Sequence, residues 1–351
     1  MEHLTLVSND RGAVAVMVAV TLPVLLGFAA LTIDIGQALV ARNELQDVAD
    51  AGALAGARRL GTIYQALTPA QQVSYSLANP VPVISDVQNI AAQNHGAGRS
   101  ISVDVGDIQI GQWNSTSKTL TVTSANPDAV RVTARLDGTT NGPVSTFFAN
   151  IWGITSVDAR ATATAALTGT STTNPGDLQT PFGLSSFRFQ TPFCNAPVRF
   201  YPTNDPQACG GWHTFTTSPP NANTLRDQID GMIPTPPTFT SPGTQAGVTS
   251  LEFVGGNIAN ALNNLYSLYM TKRDPSTGIW DALVPVYQSN DCSNPNSAMQ
   301  IAGYASMRIT NVLAPPAGQL VEGIVQCNLV EGGRGGGASF GTKGSIPGLV
   351  Q

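Results

Sequence analysis

Residues 13–33 read AVAVMVAVTLPVLLGFAALTI, and residues 34–60 read DIGQALVARNELQDVADAGALAGARRL. The first stretch carries no charge and, at about 1.5 Å per residue, is long enough as a helix to cross the roughly 30 Å hydrocarbon core of a bilayer. The second has no proline, and its Ala, Leu, Glu, Gln and Arg content favours helix. Ala38, Ala41, Leu45, Val48, Gly52, Ala55 and Gly56 fall on one face at helical spacing, most of them small. Such a face lets another backbone approach closely, with Gly52 and Gly56 as the closest-approach pair. The expectation is an anchor over 13–33 running into a long helix packed through Leu45, Val48, Gly52 and Gly56, either within the chain or against another helix. Asn43, Asp47 and Asp50 fall on the polar side. Asp50 is read as solvated or, more sharply, as a buried ion pair with an arginine of the following domain.

A cleavable signal peptide is the rival reading of the apolar run. Its apolar core would normally be shorter, about 7–15 residues, with a basic leader and a small-x-small cut site. Here Glu2 and Asp10 accompany Arg11, and no Ala-x-Ala follows, so a retained anchor is favoured. Pro23, in mid-span, removes one backbone hydrogen bond and can kink the helix. Flanking charge does not orient the span, since Arg11 precedes it while Arg42, Arg58 and Arg59 follow it.

The cysteines supply the orientation. Cys194, Cys209, Cys292 and Cys327 are an even set at long spacings behind a membrane segment, which reads as disulfides in an oxidising compartment. Free buried thiols and a zinc site are the weaker alternatives. Of three possible connectivities, nearest-neighbour pairing (Cys194–Cys209 and Cys292–Cys327) is preferred. Residues 34–351 are therefore expected outside the cytoplasm, with the leader 1–12 inside.

Charged residues make up 11% of the chain and the net charge is −5, against about 25% charged in an ordinary soluble domain. No basic cluster exceeds Arg58-Arg59, so a nucleic-acid partner lacks its electrostatic footprint.

From Ser100 the pattern turns to period two: Ile101, Val103 and Val105, then Ile108 and Ile110, Leu120 and Val122, and Val130, Val132 and Ala134. A helix over 86–94 precedes these. Val144 to Gly153 reads as a short helix packing Phe147, Phe148, Ile151 and Trp152 on the sheet, and 156–167 as the last strand. The fold class expected is α+β: a transmembrane helix running into a long Ala-rich helix packed on an antiparallel sheet (34–167), followed by a second, β-rich, disulfide-bearing domain (181–331). Polar 168–180 reads as a linker and Gly-rich 332–351 as a flexible tail. In the second domain the expected helix is 256–270, and the candidate strands are 185–189, 283–287, 301–310 and 320–325. Long loops at 202–223 and 234–247 are to be stapled by the disulfides.

No catalytic pattern appears: no Gly-x-Ser-x-Gly, no phosphate-binding loop, no His-Glu-x-x-His. His213, after Cys209-Gly-Gly-Trp212, reads as a structural turn beside a disulfide. Asn290-Asp291-Cys292-Ser293-Asn294 holds oxygen donors without the acidic ladder of a calcium loop. Trp212, Phe215 and Trp280 read as core before they read as a sugar or peptide site. No enzyme, cofactor, metal or small-molecule substrate is expected.

Arg11-Gly12 before the span, Pro23 within it, Asp34 at its exit, then Leu45-Gln46, Ala49-Asp50-Ala51 and Ala53-Leu54-Ala55-Gly56-Ala57 together resemble the N-terminal segment of the TadE/TadG-like proteins of tight-adherence (Flp) pilus assembly. Length and the cysteine-bearing C-terminal part look more like TadG. The resemblance implies a bacterial single-pass inner-membrane protein with its bulk in the periplasm, whose partners are the bilayer and other pilus-assembly or envelope proteins. An anchored adhesin or ligand-binding module is the alternative function. Some relatives carry a metal-binding Asp-x-Ser-x-Ser motif; Asp274-Pro-Ser276-Thr-Gly278 breaks that pattern at its last position. Prepilin-type cleavage at Gly12-Ala13 is disfavoured because the fifth position of the cut chain is Met17 rather than Glu.

Overall fold

A computed structural model of the chain describes residues 10–200, 209–215, 221–255 and 259–351. The leader 1–9, the start of the expected 256–270 helix and most of the 202–223 loop lie outside the described residues. The fold is α+β. Two compact units are present: residues 1–52, 87–108 and 132–163 form one, and residues 53–86, 109–131 and 164–351 the other. Each is described on its own.

Helix α1 is a single element, Asp10–Gln65, of 56 residues. From Val14 to Val40 only Ala30 and Asp34 are buried, while Val and Leu side chains stand exposed all around. A helix that is apolar on every side and uncovered by protein has the character of a membrane span. Among the described residues it is the one helix long and apolar enough to cross a membrane. Beyond it the pattern becomes one-sided. Ala41, Leu45, Val48, Ala49, Gly52, Ala53, Gly56, Ala57, Leu60, Gly61 and Tyr64 are buried, while Arg42, Asn43 and Asp47 are exposed.

In the first unit Gly52 of that face packs on Val87, in α3 (Val81–Gln93, which follows the short α2, Pro69–Val73), and on Val132 of a strand. The sheet is built from β1 (Ile108–Asn114), β2 (Thr119–Val122), β3 (Ala129–Leu136) and β4 (Ala159–Ala166). Its order is completed by a two-residue strand, Gly348–Leu349, beside β4. Strand β3 alternates buried Val130, Val132, Ala134 and Leu136 with half-buried Arg131, Thr133 and Arg135, as one covered face requires. The expected helix at 86–94 falls within α3 apart from Asn94. The strand expected at 101–105 does not form: a two-residue pairing of His95–Gly96 with Arg99–Ser100 precedes it, and the next strand starts at Ile108. Ile101 and Val103 are nonetheless buried, so their alternation reports packing rather than a ladder.

In the second unit, β5 (Phe182–Ser185), β6 (Pro197–Phe200), β7 (Gly210–Thr214), β8 (Ser250–Val254), β9 (Trp280–Tyr287), β10 (Ala298–Leu313) and β11 (Leu320–Gln326) form one seven-stranded sheet. Its order is β6-β11-β10-β8-β7-β5-β9, and β10 also pairs with β9, so the series of pairings closes on itself. Phe182, Trp212, Phe253, Tyr287 and Tyr304 fill its core with Leu225 of α4 (Ala222–Met232) and Leu262 and Leu265 of α5 (Ala259–Lys272). The strand expected at 185–189 is displaced: β5 ends at Ser185, whose hydroxyl caps a 3-10 turn over Ser186–Gln190.

Two further segments differ from their sequence reading. The expected linker is packed: Gly169 bridges to Gly337 and Lys343, and Leu178 to Leu283. The expected tail forms β12 (Leu329–Arg334) and β13 (Thr342–Ile346), paired in parallel, before Gly348–Leu349 joins β4. Close backbone packing explains the glycines. A Cβ on Gly333 would stand 2.0 Å from the Thr172 carbonyl oxygen and one on Gly337 2.4 Å from that of Thr170.

Candidate functional site

The polar feature nearest the apolar run is Asp34, the first charged residue after it. Its carboxylate is buried and accepts hydrogen bonds from three consecutive backbone N–H groups: Phe147 (2.8 Å), Phe148 (3.0 Å to the second oxygen) and Ala149 (2.6 Å). Burial works to raise its pKa, and the three donors outweigh that and hold it below the usual carboxylate value. The carboxylate thus caps the 3-10 turn Ala149–Trp152, inside a loop closed by pairing of Val144–Ser145 with Ser156–Val157. The sequence reading had this stretch covering the sheet. Instead Phe147, Ile151 and Trp152 are exposed, because a single 3-10 turn tied at Asp34 cannot lay them down as a longer helix would. An open groove of about 530 Å³ lies on the same unit, lined by Ala38, Leu39, Arg42, Gln46, Asp158 and Arg160.

Of the packing positions read from sequence, Leu45 and Val48 are fully buried, and Gly52 and Gly56 are buried. A Cβ on Gly52 would stand 3.3 Å from Val87 Cγ1 and 3.5 Å from Val132 Cγ1, so a helix and a strand close over it. Sequence spacing missed a tighter position, Gly61, whose Cβ would stand 2.1 Å from the Ser345 carbonyl oxygen. Asp50 is half-buried and accepts a hydrogen bond from Gln46 Nε2 at 2.7 Å; among the described residues no arginine pairs with it. Arg135 sits among Asp107 (2.7 Å), Asp137 (3.4 Å) and Asp104 (3.5 Å). Asp137 is held down at about 2, chiefly by the Thr139 hydroxyl and the Thr140 and Thr139 N–H groups, with Arg135 adding to them.

All four cysteines are disulfide-bonded, and the pairing is Cys194–Cys327 and Cys209–Cys292 rather than nearest-neighbour. Strand register is the reason. Strand β6 runs antiparallel to β11 with Pro197 opposite Ile324, and the same register three residues further sets Cys194 against Cys327. The Cys209 carbonyl accepts from Ser185 N, and the Ser185 hydroxyl donates to the Asp291 carbonyl, which brings Cys292 to Cys209.

His213 lies in β7, fully buried against Phe215 and Phe253, not in a turn. Burial pushes its pKa down to about 3, with the Thr214 and Phe182 backbone pulling only partly the other way. Trp212, Phe215 and Trp280 are core. Asp274 spends one carboxylate oxygen on Ser276 N, Ser276 Oγ and Thr277 N, a local turn. Asp291 does the same with Ser293. Among the described residues no group of three or more side chains is placed to hold a metal ion. A cavity of about 260 Å³ is lined by Asp177, Trp280, Asp281 and Glu331. Burial pushes the Glu331 carboxyl up, against a 3.2 Å hydrogen bond from Ser306.

The long helix, apolar and uncovered first and packed through small residues next, followed by a sheet, is the frame in which family comparison is informative. Residues 12–59 match the family model described as Flp pilus-assembly TadE/G-like, and residues 66–165 match the one described as Tad-like Flp pilus-assembly. Over these two stretches the chain is TadE/TadG-like. The similarity is to Flp pilus-assembly families, and the two matched stretches together cover less than half of the chain. No curated protein and no solved structure matches the chain. Gly52, Gly56 and Asp34 lie within the first match, and the Asp34-bound loop within the second.

Proposed function

We propose that the protein is a membrane-anchored structural component of a Flp-type pilus system, of the bacterial inner membrane, acting through protein–protein contacts in the periplasm and not by catalysis. The observation that carries this reading is the change of character along α1: apolar residues over 14–33 that are uncovered apart from Ala30, then a buried small-residue face. In this reading 13–33 is the single-pass anchor and everything after it lies outside the cytoplasm. The two disulfides favour that side, because thiols are kept reduced in the cytosol. Its partners are the bilayer and other assembly or envelope proteins.

The test is topological and genetic. In spheroplasts, external protease should degrade the chain down to a protected fragment of the leader and span. The cysteines should resist alkylation until reduced, and deletion of the gene should abolish pili. Recovery of a soluble cytosolic chain with free thiols would refute the reading.

A further inference from the structure

We propose that the loop from Val144 to Val157 is a second membrane contact, whose tip of Phe147, Ile151, Trp152 and Ile154 enters the lipid interface of the leaflet from which α1 emerges. The inference rests on the anchor reading above. The tip is uncovered: Phe147 is 73% exposed, Ile151 76%, Trp152 69% and Ile154 54%. No charged residue occurs anywhere from Val144 to Val157. Four large apolar side chains exposed together on one short loop are unlike the scattered surface hydrophobes of a soluble domain. Trp and Phe, moreover, are the side chains that settle at a headgroup boundary.

What assigns lipid as the occupant is the loop's attachment. It is held by Asp34, the residue at which the apolar run ends, through three backbone hydrogen bonds. Ala30, one turn earlier (about 6 Å) and inside the apolar run, is buried on the same face of α1. The covered face of the helix therefore reaches below the end of the run, to the depth where the hydrocarbon begins. Asp34, one turn outside that depth, keeps its charge met by three N–H donors.

The full chain reconstituted into bilayers tests this, with lipids brominated near the headgroup end of the acyl chain as the probe. The apolar run contains no tryptophan, so brominated lipid reports on the body of the protein. Part of the tryptophan emission should be quenched, and Trp152→Phe should remove that part; the exposed ring can be exchanged without loss of folding. Emission that brominated lipid leaves unchanged, or quenches equally in W152F, in a chain that floats with the vesicles overturns the loop contact and leaves the anchor standing. Trp152 shielded from both lipid and aqueous acrylamide also overturns it, in favour of a protein partner. A chain that fails to float at all overturns the anchor and, with it, this proposal.

Discussion

Asp34 binds the Phe148 backbone N–H with both carboxylate oxygens, at 3.0 and 3.2 Å, across 114 residues of chain. The contact ties the end of the apolar run to a loop far away in sequence. Asp34→Ala removes the acceptor for three adjacent donors. Amide hydrogen exchange over 146–155 should accelerate, on the order of tenfold or more, while exchange in α3 stays unchanged. Because the folded pKa of Asp34 is lowered, its contribution is complete above the ordinary carboxylate range and is lost as pH falls below it, so loop exchange should rise on acidification in the native chain and not in the variant.

Gly61 and Gly52 rank differently from their sequence prominence. A methyl on Gly52 meets the end of a Val87 side chain, which can give way; one on Gly61 meets the Ser345 carbonyl, which is backbone. Gly61→Ala should lower stability by about 2–3 kcal/mol in thermal or denaturant unfolding, and Gly52→Ala by about 1 kcal/mol or less. Equal effects at the two positions would contradict the packing described.

The segment 329–351 is anchored by Lys343, whose Nζ lies 2.6 Å from the buried carboxylate of Asp128, and by Gln72, whose amide pairs with both backbone groups of Val330. Lys343→Met leaves Asp128 buried without its cation and should cost about 2 kcal/mol, with earlier proteolysis after residue 334. Adding Asp128→Asn should restore most of the loss, which a simple loss of side-chain packing at position 343 would not permit.

His213 makes the second unit acid-sensitive. Its folded pKa of about 3 lies below the ordinary histidine value of 6.5, so between these the unfolded chain binds the proton and the folded one does not. Stability is therefore complete above pH 6.5 and falls as pH drops toward 3, by up to tenfold in the folding equilibrium per pH unit. His213→Leu should flatten that slope in denaturant titrations across the same window. An unchanged slope would show that other groups control acid unfolding.

Non-reducing digestion should yield the linked peptides Cys194–Cys327 and Cys209–Cys292, and no peptide joining Cys194 to Cys209.

The helix over 13–60, its buried face and three of the seven strands of the second unit's large sheet were legible in the sequence because they are local: unbroken apolarity, a period of 3.6 and a period of two appear in consecutive residues. The strands read at 283–287, 301–310 and 320–325 lie inside β9, β10 and β11 for that reason. Tertiary structure alone decided which cysteines meet: strand register sets Cys194 against Cys327, 133 residues on, and long-range hydrogen bonds through Ser185 bring Cys209 to Cys292, 83 residues on. It also decided that glycines at 332–344 mark close backbone contact rather than freedom, and that Phe147, Ile151 and Trp152 face outward. Composition records how apolar or how small a residue is; what stands opposite it is set by long-range pairing, here by one carboxylate and three N–H groups.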